Sequence, residues 1–202
     1  MAAQEGITAQ ERRIAAIGGI LTGLALALRV ILAPEPRVAA IDTAIVVAGG
    51  LFFAAGVRTR LARAGAGMFG NVALISWPVV AALALVRFAM QVAPALSDAA
   101  APVADAFAVV SGAMLALVWV GIAVMALATA VGGMRSGTLA RWFVGLSTIV
   151  AVASAIGVGT LLGDGGYFAW NGDYPIYLLY LVSAWFVLGG VAMWNEPDRP
   201  SA

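Results

Sequence analysis

The sequence predicts an all-α, polytopic transmembrane bundle of six spans. Hydrophobic residues make up 63% of the 202, and charged residues 10%, against roughly 25% in a soluble domain. Mean hydropathy is +1.00. The apolar residues fall in long unbroken runs instead of alternating. Inside a bilayer every backbone amide must be paired, and unbroken runs select helices over a closed barrel.

The polar opening, 1–13, ends in Glu11-Arg12-Arg13 and is expected to be a cytoplasmic segment. The first span covers 14–33. A cleaved signal peptide competes for this stretch, but Arg29 stands at its apolar end, and Ile31 spoils a small-x-small site before Pro34. Pro34-Glu35-Pro36 forces a turn into the second span, 38–57. The most basic loop follows, Arg58-Thr59-Arg60-Leu61-Ala62-Arg63. The third span, 67–90, has Trp77-Pro78 in its interior, so a bend is expected there. A loop with two prolines leads to the fourth span, 103–131. A short loop with Arg135 and Arg141 leads to the fifth, 142–162. The Gly-, Asp- and aromatic-rich segment 163–174 precedes the sixth, which opens on Pro175 and ends at 194. The transmembrane domain is therefore 14–194, followed by a short tail, 195–202.

Arginine distribution sets the orientation. With the N-terminus inside, the cytoplasmic segments hold Arg12, Arg13, Arg58, Arg60, Arg63, Arg135, Arg141 and Arg199. The other side holds Arg37, with Arg29 and Arg87 inside helix ends. Eight against three selects N-in, C-in. Tyr167, Phe168, Trp170 and Tyr174 near the last outer loop suit an interfacial aromatic belt.

Absences narrow the chemistry. The chain has no Cys and no His, and all eleven basic residues are Arg. Disulfides, thiolate nucleophiles, iron–sulfur clusters and imidazole sites are excluded. No Walker loop, G-x-S-x-G or H-E-x-x-H occurs. A net charge of +1 provides no nucleic-acid surface. No catalytic residue, cofactor or metal is assigned.

What remains is a set of charges inside the spans. Arg29 and Asp42 each lie four residues from a span end in one tight hairpin, about 6 Å below the boundary, and are expected to pair. Arg87 and Asp105 form a second candidate pair across the next hairpin. Together the four make either an outward polar vestibule or two structural clamps. An intramembrane aspartyl dyad of Asp42 and Asp105 is disfavoured, because each has an Arg partner nearer in sequence. Asn71 is expected to make a buried interhelical contact. Ser147, Ala151, Ser154 and Gly157 share one face of the fifth span and suit close packing.

The stretch Gly-Gly-Met-Arg-Ser-Gly-Thr-Leu-Ala-Arg-Trp-Phe-Val-Gly, 132–145, resembles a broad group of uncharacterised bacterial six-span membrane proteins, grouped as a domain of unknown function. The opening Arg13-Ile14-Ala15-Ala16-Ile17-Gly18 is similar to the start of that group, though many of its members have Pro at the position of Ala140. The resemblance implies a helical inner-membrane protein and carries no site residues. The expected function is non-catalytic, an assembly or interaction component whose small-residue faces serve a membrane protein partner or a second copy within the lipid bilayer. The alternative is a small transporter or channel with an outward-facing polar site.

Overall fold

The computed structural model describes residues 9–32, 36–96, 100–161 and 172–195. Six α-helices fill these segments: α1 (Ala9–Leu32), α2 (Pro36–Arg63), α3 (Gly67–Leu96), α4 (Ala101–Ser136), α5 (Arg141–Gly157) and α6 (Asp173–Trp194), with a 3-10 turn, Val158–Leu161, after α5. Five of them are long and apolar enough to cross a membrane. The exception is α5, whose 17 residues reach about 26 Å, short of the ~30 Å hydrocarbon core. The 3-10 turn adds about 8 Å.

Each helix packs on the next, and α6 returns to α1, so the six close into a ring. Large apolar side chains such as Leu21, Leu28, Phe52, Ile75, Leu127 and Ile149 face outward. A surface of that kind is stable against lipid and not against water. Small residues face inward and let backbones touch. A Cβ on Gly18 would lie 2.5 Å from the Gly49 carbonyl oxygen, and one on Gly23 2.4 Å from the Ser183 carbonyl oxygen. These contacts seat α1 against α2 on one side and α6 on the other, as small-residue interfaces do in membranes. The faces expected to suit a partner helix are thus engaged within the chain.

Six buried hydroxyls are satisfied locally, whereas the Ser154 Oγ is buried without a partner. Thr22, Thr43, Ser76, Thr129, Ser147 and Ser183 each donate to the carbonyl four residues earlier.

One end of the ring gathers the start of α1, the α2–α3 and α4–α5 turns and the end of α6. It carries Arg12, Arg13, Arg58, Arg60, Arg63, Arg135 and Arg141. Both turns are glycine-capped. Gly65 has φ 76°, its N–H donates to Ala62, and the Ala66 N–H donates to Leu61, while Leu61 and Ala66 are both buried. That is a Schellman cap with its hydrophobic contact. Gly137 has φ 63° and donates to Gly133, and Leu139 folds back onto Gly133. The segment that carries the family resemblance is therefore a turn whose glycine, hydroxyls and buried leucine have structural work. Arg141 stands in the first turn of α5, where its charge opposes the helix dipole.

Several boundaries differ from the sequence reading. Helix α1 begins at Ala9, before Ile14, because Glu11, Arg12 and Arg13 continue the helix beyond the apolar run. Helix α3 continues through Pro78 and Pro94 to Leu96, beyond Met90. Pro78 is turned outward while Trp77 is buried. Residue 162, the expected end of span five, lies outside the described residues, as do Tyr167, Phe168, Trp170, Arg199 and the turn residues Pro34 and Glu35. Tyr174 braces two helices instead of lying free in a belt: its hydroxyl donates to the Ala153 carbonyl at 2.7 Å.

Candidate binding cavity

Toward the basic end, an aromatic plug occupies the centre of the ring, and a pocket of about 370 Å³ opens beside it, lined by residues that include Arg60, Thr138, Phe143, Gly189 and Met193. Phe53 from α2 meets Trp185 and Phe186 of α6 edge-on, at 5.5 and 5.1 Å between ring centroids. Phe143 of α5 stacks on Trp185 at 6.1 Å. The Trp185 indole N–H donates to Ser147 Oγ at 2.8 Å, which is the role found for the small-residue face of α5. Trp77 closes the top of the plug. It lies on the bare backbone of Gly50, touches Phe186 edge-on at 5.3 Å, and donates its indole N–H to the Val47 carbonyl at 2.9 Å.

Above this plug the ring is hollow. A cavity of about 240 Å³ is lined by α1, α2, α3, α4 and α6. Its floor includes Trp77, Ile122 and Phe186, and its upper wall includes Arg29, Arg87 and Gln91. From Gly172 to Phe186, the lining of α6 extends about 21 Å along the axis. The cavity is therefore lined along much of the upper part of α6. On α3 the lining recurs at Trp77, Val80, Ala84, Arg87, Phe88 and Gln91, one helical face.

The charges near the mouth do not form two equivalent pairs. Arg29 Nε lies 3.0 Å from Asp42 Oδ2, with side chains 24% and 11% exposed. The same guanidinium donates to the Thr43 hydroxyl and, at 3.2 Å, to the Ala39 carbonyl. This is the pair expected from the first hairpin, extended by Thr43. Arg87 and Asp105 do not pair. Asp105 is turned outward, whereas Arg87 faces the cavity, and its buried Nε has no hydrogen-bond partner. The physical reason is depth. Because α3 continues to Leu96, Arg87 lies about 14 Å from that helix end, while Asp105 lies about 6 Å from the start of α4. Among the described residues, then, the cavity holds one balanced and one unbalanced cation.

Asn71 makes its interhelical contact at the opposite end, and at the surface instead of buried. Its Oδ1 accepts from Arg58 Nε at 2.9 Å across α2 and α3. Two cavity residues had no mark in the sequence reading. Gln91 was assigned to a loop because of Pro94; its signal was the four-residue spacing from Arg87. Trp119 lies against Gly157 with its indole nitrogen unpartnered. Among the described residues no group of three or more His, Cys, Asp or Glu could hold a metal ion. No family model, curated protein or solved structure matches the chain.

Proposed function

We propose that this is a six-span bacterial inner-membrane protein, N-in and C-in, that acts without catalysis as a receptor for a small ligand entering from the extracytoplasmic side. The arginine-rich end is the cytoplasmic one on the positive-inside rule. The observation that carries the reading is the hollow upper half of the ring, with Arg29 and Arg87 in its wall and an aromatic plug beneath it. A filled floor favours a blind binding site over an open channel. Gly18, Gly23 and Gly49 serve contacts within the chain. The resemblance through 132–145 is compatible with this reading and adds no chemistry to it.

The absence of cysteine gives a clean test. The single variant Gln91→Cys, at the mouth of the cavity, is expected to react with a membrane-impermeant maleimide applied to intact cells. Ala64→Cys, in the α2–α3 turn, is expected to react only after permeabilisation. Protection of Gln91→Cys, or labelling of Ala64→Cys from outside, contradicts the proposal.

A further inference from the structure

We infer that the cavity binds the anionic head of a single alkyl chain, a carboxylate or phosphate, with the head at Arg87 and the chain running down toward Trp77. This rests on the receptor reading above and names the chemistry of its ligand.

Three properties of the site converge. The first is shape. About 240 Å³ is lined along roughly four turns of α6, which suits an extended apolar body. The second is the wall. Below the arginines it is formed mainly by apolar groups such as Val46, Val80, Leu115 and Ile122, with the buried Trp119 indole N–H as an unpartnered donor among them. The third is charge. A guanidinium inside a membrane bundle is costly unless paired. Arg29 has Asp42, but Arg87 has no acidic partner among the described residues, and its Nε is buried without a hydrogen bond. An anion beside Arg87 would balance that charge and accept its N–H donors, and guanidinium geometry matches carboxylate and phosphate oxygens. Gln91, one turn above Arg87 on the same lining face, adds a neutral donor for the same head. A snorkelling arginine would explain the charge alone, but not the empty apolar shaft beneath it.

The same chemistry can come from the bilayer's anionic lipids or from a free amphiphile, and the experiment separates them. The full chain is reconstituted in nanodiscs of phosphatidylcholine alone, and its thermal unfolding is followed during titration with decanoate, decyl phosphate, decanol and inorganic phosphate. Saturable stabilisation by the two anionic amphiphiles is expected, with apparent affinity at least about tenfold above decanol, and none from inorganic phosphate. A parallel series replaces part of the phosphatidylcholine with phosphatidylglycerol. Stabilisation there that occludes the decanoate response assigns the site to bilayer lipid; a decanoate response unaffected by phosphatidylglycerol assigns it to free amphiphile.

Arg87→Gln is expected to erase the preference for the anionic head over decanol, and Arg87→Lys to keep most of it. Ala84→Phe fills the shaft from the α3 wall without touching either arginine, and is expected to abolish saturable binding of all alkyl probes. An equal response to decanol and decanoate overturns the inference, as does inorganic phosphate acting alone, or no response in either nanodisc. If Gln91→Cys labels from outside while no anionic amphiphile binds, the ligand assignment falls and the receptor reading stands. If it does not label, the receptor reading itself falls.

Discussion

The α1–α2 and α3–α4 hairpins share an order of charges, an Arg after a short apolar run and then an Asp, and end in different structures. Ala25-Leu26-Ala27-Leu28-Arg29 before Asp42 resembles Leu83-Ala84-Leu85-Val86-Arg87 before Asp105. In the first, α1 and α2 meet glycine to glycine: a Cβ on Gly49 would lie 2.7 Å from the Gly18 carbonyl oxygen. That approach brings Arg29 within reach of Asp42, Thr43 and the Ala39 carbonyl. In the second, Gly121 of α4 receives the side chain of Val80, not the backbone of α3. Helix α3 also continues past Pro94, so Arg87 and Asp105 stand at different levels. The comparison teaches that depth and facing, not the Arg-then-Asp pattern, decide whether two intramembrane charges cancel. Where they cancel they make a clamp, and where they do not they leave a site.

The largest expected effect tests the glycine contact. Gly49→Val puts a branched side chain against the Gly18 backbone and the Thr22 hydroxyl, neither of which can move without separating α1 from α2. A loss of about 3 kcal/mol is expected. Gly121→Ala meets only the Val80 side chain and is expected to cost about 1 kcal/mol. Unfolding midpoints in a neutral detergent measure both; equal losses would remove the distinction between the hairpins.

Single charge removals come next. Asp42→Leu leaves Arg29 without its carboxylate and is expected to cost ~1–3 kcal/mol. Asp105→Leu removes an outward-facing group and is expected to stay within about 0.5 kcal/mol. A smaller effect sharpens the contrast between the filled and hollow halves. Ser147→Ala leaves the Trp185 indole N–H unsatisfied beneath the cavity and is expected to cost about 1–2 kcal/mol. If the two halves are independent, it should not change probe binding above the plug.

Much of this was legible in the chain, for physical reasons that particular residues show. Apolar runs must become helices in lipid, so the six helices and their order followed from hydropathy. The Arg29–Asp42 pair followed from a turn too short to misplace either residue. Arg87 was misjudged because Pro94 was read as a stop, whereas a membrane helix can carry a proline where its surroundings satisfy the freed carbonyl. Asn71 was read as buried from its distance to the helix start; its partner Arg58 lies at the end of the preceding span, where both reach the surface. The cavity itself has no local signature. Its floor exists because Trp77, Phe53 and Phe186, far apart in sequence, meet beneath it.

The central claim is that Arg29 is balanced by Asp42, whereas Arg87 has no acidic partner among the described residues. Two double-mutant cycles on unfolding free energy, run side by side, test it most directly. The account predicts a coupling of about 1 kcal/mol between Arg29→Leu and Asp42→Leu, and additivity within about 0.3–0.5 kcal/mol for Arg87→Leu and Asp105→Leu. Equal couplings in the two cycles, or coupling confined to the second, would contradict it.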